Sequence, residues 1–144
     1  MSHSSRTDFI SALLVGAEPQ SRLVILEIFR EAGWRLHEAR DRKGALDCLE
    51  RQPVQVVVTN AHLPKWPWKK ALLDLRRMPH PPQLVVTSRL ADDSMWAEVL
   101  NWGGYDVLVE PFDRNEVARV IASARRHFEP HLARASQARA AVAS

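Results

Sequence analysis

The hydrophobic pattern of this chain changes period along its whole length, and that alternation constrains the fold more than any single motif. Ser11-Ala-Leu-Leu-Val15 is a continuous apolar run stopped by Gly16, as expected of a strand buried on both faces. Ile25, Ile28, Phe29 and Ala32 then share one helical face, which Gly33 ends. Arg35-Leu-His-Glu-Ala39 alternates like a short strand near a sheet edge, and residues 43–51 suit a helix stopped by Pro53. Val54-Gln-Val-Val-Val-Thr59 is the strongest strand; a loop rich in Pro and Trp follows it and leads into a helix over 68–77. Gln83-Leu-Val-Val-Thr-Ser88 and Asp106-Val-Leu-Val109 are further strands. Between them, Asp92 or Asp93 caps a helix that Gly103-Gly104 stops. Asp113 caps a final helix in which Val117, Val120, Ile121, Ala124 and Phe128 keep the helical period. Five strands alternating with five helices predict an α/β fold, a parallel sheet with helices on both faces.

A length of 144 residues predicts one domain. A chain of this size buries roughly 68–70% of its unfolded surface, enough for a core without staples. The expected boundaries are an extended or disordered N-terminus over 1–9, the domain over 10–128, and a basic Ala/Arg-rich tail or linker over 129–144, either a frayed helix or disordered. The single Cys48 excludes an internal disulfide and fits a reducing compartment; it reads as a small packing residue. The apolar stretch Phe9–Ala17 is too short to span a bilayer, and no basic n-region precedes a cleavage site. The expectation is a soluble cytoplasmic chain without a signal peptide or membrane contact. The net charge of +3 is uneven, since residues 114–144 hold six Arg against two Glu while the rest is near neutral. So small an excess argues against nucleic acid as a partner.

In an open α/β sheet, ligands gather at the carboxyl ends of the strands. Those ends are Gly16-Ala17-Glu18, Asn60-Ala61-His62, Thr87-Ser88 and Glu110-Pro111. Neither a Walker A sequence nor G-x-G-x-x-G follows the first strand, so nucleotide phosphates lack their usual cradle.

Five segments in this order and spacing carry a resemblance: Ala12-Leu-Leu-Val-Gly-Ala-Glu-Pro19, Ala61-His-Leu-Pro64, Val85-Val-Thr-Ser88, Trp102-Gly-Gly-Tyr-Asp106 and Val109-Glu-Pro-Phe-Asp113. Over about residues 10–128 the chain resembles the receiver (CheY-like) domains of two-component response regulators. The resemblance implies a flavodoxin-like doubly wound sheet of order 2-1-3-4-5 in a three-layer sandwich. Active receivers hold Mg²⁺ with an acidic pair after the first strand and accept a phosphoryl group on an aspartate after the third. A hydroxyl after the fourth strand and a lysine after the fifth sense it. Carried over by position, the acidic pair falls on Gly16 and Ala17, the phospho-acceptor on Asn60, the hydroxyl on Thr87, the lysine on Glu110 and the switch aromatic on Val107.

Only Thr87 keeps the pattern. Of the first-strand acids Glu18 alone remains, so Mg²⁺ binding is expected to be lost or weak and no cofactor is expected. Asn60 has an amide where a carboxylate nucleophile is required, and Glu110 puts negative charge where a cation would meet the phosphoryl group. The reading is therefore a pseudo-receiver, a non-enzymatic protein–protein interaction module not phosphorylated on Asn60. Its expected partner is a sensor kinase, a phosphotransferase or another receiver. The expected surface is the fourth helix, fifth strand and fifth helix, through Trp96, Trp102, Val107 and Arg119, with a homodimer through the same face as an option. An alternative is a small-ligand sensor whose vestigial pocket is edged by Glu18, Asn60, His62, Thr87 and Glu110 and roofed by Trp66. A further alternative is the receiver half of a longer regulator with its output domain missing.

His62 otherwise reads as a solvent-facing loop residue. His127 and His131 have the spacing of helical metal ligands, but Pro130 between them counts against the pair, and no metal site is expected. Lys65-Trp-Pro-Trp-Lys-Lys70 is the least ordinary segment. With Lys65, Trp66 and Trp68 it reads as a pocket-edge loop for anions, bases or protein, set against one tryptophan packing on the core.

Overall fold

The computed structural model describes residues 9–143, with side chains through residue 128. The readings of residues 1–8, of Pro130 and His131 and of the 129–144 tail concern side chains outside that range.

Five strands, β1 (Ser11–Val15), β2 (Arg35–Ala39), β3 (Val56–Asn60), β4 (Gln83–Ser88) and β5 (Asp106–Val109), alternate with α1 (Pro19–Ala32), α2 (Arg42–Arg51), α3 (Trp68–Arg76), α4 (Asp93–Trp102) and α5 (Arg114–Ala143). All strand pairs are parallel and the order is β2-β1-β3-β4-β5. The chain therefore reverses direction across the sheet between β1 and β3, which opens a crevice at their carboxyl ends.

Alternation within the strands sorts the core into two layers. Ala12, Leu14, Val56, Val58, Val85 and Leu108 face α1 and α5, where Ile25, Ile28, Phe29, Val117, Val120 and Ile121 meet them. Leu13, Val15, Val57, Leu84, Val86 and Val107 face the other way, against α2, α3 and α4. This is the three-layer sandwich of an α/β sheet, and β1 and β3, covered on both faces, are fully buried in their apolar positions.

Local chemistry sets the ends. Pro19 occupies the first turn of α1, where its missing N–H costs nothing, and Gly33 at φ 73° stops that helix. Asp41 and Asp92 cap α2 and α4 by accepting from Gly44 N and Met95 N at 2.9 Å each, so Asp92 rather than Asp93 is the cap. Two details differ from the sequence pattern. β3 starts at Val56, because Gln55 turns its amide side chain to accept from Ser11 N at 2.8 Å while its own N–H meets Ser11 O. Ala32 is exposed, so the buried face of α1 ends at Phe29. Among the described residues no helix is long and apolar enough to cross a membrane.

Candidate functional site

The carboxyl ends of β1, β3, β4 and β5 form one mouth, and its β1–β3 side is filled by carbon. Gly16 leaves β1 at φ 64°, a left-handed conformation that side-chain-bearing residues rarely adopt. A Cβ added there would lie 2.5 Å from Leu63 Cδ1. The space that a side chain at position 16 would enter is thus held by Leu63, which packs against the core.

The loop after β3 puts Leu63 there. Asn60 turns its side-chain oxygen back to accept from His62 N at 2.9 Å, and Leu63 N donates to Asn60 O at 3.4 Å. Trp66 N then donates to Leu63 O and Trp68 N to Ala61 O, both at 3.1 Å. Trp66 is completely buried and its Nε1 donates to Asp74 Oδ2 at 2.8 Å. Arg42 Nε reaches the same oxygen at 2.9 Å. Burial alone would raise the Asp74 pKa; hydrogen bonds from Arg42 and Trp66, with the Arg42 and Arg77 charges, outweigh it and hold the carboxyl below its usual range.

The pocket-edge reading of this loop is corrected accordingly. Trp66 roofs nothing, being the loop's anchor in the core, and Trp68 is also buried, edge-on to Trp102 with ring centroids 5.9 Å apart. Lys69 Nζ lies over both rings and pairs with Glu98 at 2.8 Å. Only Lys65 of the three named residues is exposed. His62 is exposed, and Thr87 lies buried beside Asn60 in the β3–β4 register.

The β4–β5 side is polar. Glu110 leaves β5 with its N–H on Ser88 O at 3.0 Å, and its side chain is only 6% exposed. Ser21 Oγ, in the first turn of α1, donates to Glu110 Oε2, whereas Oε1 is buried without a partner among the described residues. Arg89, just past β4, pairs with Glu18 across the rim. A cavity of about 430 Å³ opens between them, lined by Val24 and Phe112 as well as by these charged groups. Sequence reasoning missed Ser21 and Arg89. Arg89 is the first charged residue after a buried strand, a signal that could have found it.

Mg²⁺ asks for an octahedron of hard oxygens, usually including one or two carboxylates. Gly16 and Ala17 supply none, Leu63 carbon occupies the space beside them, and Glu18 is paired with Arg89. The residues present do not fit that ion. Among the described residues no three His, Cys, Asp or Glu side chains cluster as a metal site.

On the face built by α4, β5 and α5, Trp96 is 49% exposed and Arg119 is exposed; Trp102, 38% exposed, packs instead against Trp68 and Lys69 of α3, which corrects its expected place on this face. Trp96 Nε1 donates to Asp106 Oδ1 at 3.0 Å, which ties the ring to the first residue of β5. Val107 is buried in the core, so it adds no open surface there; Val109 is the exposed β5 residue. His127 shares hydrogen bonds with Tyr105 Oη at 3.1 Å and Ser123 O at 2.9 Å. Cys48 is half-buried and burial pushes its thiol pKa up, which suits a packing residue rather than a nucleophile.

Sheet order, helix placement and a mouth at the strand ends define a receiver-type α/β domain. The chain belongs to the response regulator receiver domain family, whose model matches residues 12–122. Comparison with curated proteins finds no match. Solved structures share the fold. The signal receiver domain of an HD domain-containing protein from Pseudomonas fluorescens Pf-5 is 24% identical, with a TM-score of 0.73 over 84% of this chain and 98% of that one. The receiver domain of sensor histidine kinase PA1611 from Pseudomonas aeruginosa PAO1, with magnesium coordinated in its active-site cleft, is 24% identical at TM-score 0.67, over 81% and 97%. The receiver domain of Ssk1 from Saccharomyces cerevisiae, solved with the histidine phosphotransfer protein Ypd1, is 15% identical at TM-score 0.67, over 78% and 86%.

Proposed function

We propose that this receiver works in two-component signalling as a cytoplasmic protein-binding module, not an enzyme, and takes no phosphoryl group on Asn60. The observation that carries the reading is Leu63 packed over Gly16, beside an asparagine whose side-chain oxygen closes its own turn. An acyl phosphate needs a carboxylate nucleophile, and phosphoryl transfer needs cations around the developing charge. Position 60 offers an amide, and position 110 offers a carboxylate held by Ser21.

Binding to a partner requires none of these groups. The yeast receiver solved with a phosphotransfer protein illustrates the class of partner, and a sensor kinase or a second receiver is of the same kind. The surface we assign is the α4–β5–α5 face, with Trp96 as its aromatic anchor and Arg119 at its rim. The test is incubation of the full chain with Mg²⁺ and acetyl phosphate, followed by intact-mass analysis. No phosphoryl adduct is expected, and an adduct mapped to residues 59–62 would overturn the reading.

A further inference from the structure

We propose that the cavity beside Glu110 binds a small organic cation, a primary ammonium group on a short apolar body. Glu110 is only 6% exposed, and its two oxygens are treated unequally. Ser21 Oγ, in the first turn of α1, donates to Oε2, whereas Oε1 is buried with no hydrogen-bond partner among the described residues. A carboxylate oxygen left in that state is unfavourable until a donor reaches it. The adjoining cavity of about 430 Å³ has the size of a small-molecule site, and an ammonium group there would meet Oε1 as the Glu110 side chain, closed to solvent at that oxygen, turns toward it.

Charge and shape select the ligand. Glu18 and Arg89 neutralise each other across the rim, so Glu110 is the carboxylate of this cavity that has no ion pair among the described residues. One free oxygen suits a point donor such as ammonium; a guanidinium prefers both oxygens of a carboxylate at once. Mg²⁺ would need several free oxygen ligands, whereas Glu18 is already paired with Arg89 and Ser21 donates to Glu110. Val24, Pro111 and Phe112 supply an apolar wall for an alkyl or arylalkyl body. Asn60, His62, Thr87 and Trp66 take no part in lining this cavity. The position that would answer a phosphoryl group in an active receiver thus becomes an input of opposite charge, independent of whether Asn60 is phosphorylated.

The experiment is a two-dimensional amide NMR titration of the full chain with n-butylammonium, and with butanol and butyrate as neutral and anionic matches. Saturable shifts centred on Ser21, Val24 and Phe112 are expected with the ammonium alone. Glu110→Gln should weaken binding by about tenfold or more, the loss of one charge-assisted hydrogen bond. Val24→Phe, which fills the cavity and leaves Glu110 in place, should abolish it. No saturation, equal response to butanol, or binding unchanged in Val24→Phe would overturn the proposal. None of these outcomes bears on phosphorylation, which is read at Asn60.

Discussion

On the β1–β3 side of the mouth, Leu63 lies over Gly16 and the turn after Asn60 is anchored by a wholly buried Trp66. On the β4–β5 side, Glu110, Ser21, Glu18 and Arg89 surround an open cavity. Both sides end parallel strands of one sheet, and although β5 is its less buried edge strand, the sheet alone does not account for the contrast. The loops do. The loop after β3 sends its apolar residues inward and closes the crevice, while the segment after β5 turns a carboxylate into it. Charge in the mouth and packing in the mouth are therefore set independently, and one can change while the other stays.

The largest expected effect lies on the packed side. Trp66→Ala should cost about 3–5 kcal/mol, because it empties a fully buried site and leaves Asp74 with one donor fewer. Urea unfolding measures it, and a loss below about 1 kcal/mol would mean the loop is not anchored as described. Gly16→Asp, which restores an acid, should cost about 2–4 kcal/mol through the left-handed backbone and the collision with Leu63. Adding Leu63→Ala should relieve the collision but not the backbone strain, so the two substitutions should couple in a double-mutant cycle.

The polar side should respond less. Ser21→Ala leaves Glu110 with no side-chain partner on either oxygen among the described residues and should cost about 1–3 kcal/mol in the same assay. The smallest effect is a pH dependence beneath the packed side. The folded Asp74 pKa is depressed below 3.8, so on acidification the unfolded chain takes up that proton first. The stability owed to Asp74 is whole above the unfolded value and is lost as pH falls through the lower folded value. Asp74→Asn should remove that part of the acid-side decline, and an unchanged acid limb would contradict the assigned hydrogen bonds.

Strand ends and helix faces were legible because burial on a sheet leaves a local period. The filling of the mouth was not. Leu63 reaches Gly16 across forty-seven positions of sequence, and no spacing reports such a contact. Trp66 misled for a related reason: a tryptophan between prolines and lysines looks like an exposed loop residue until the donor at Nε1 finds Asp74 in the following helix. Ser21 and Glu110 meet through folding between residues far apart in the chain, so neither residue signals the pair.

The most direct test of the central claim is a two-dimensional amide NMR titration of the full chain with Mg²⁺, followed by beryllofluoride as a phosphoryl mimic. The account predicts that the resonances of Gly16, Asn60 and Thr87 stay in place when beryllofluoride is added. Saturable beryllofluoride-dependent shifts at those residues, spreading into α4 and β5, would show a mouth that still reads a phosphoryl group and would contradict it.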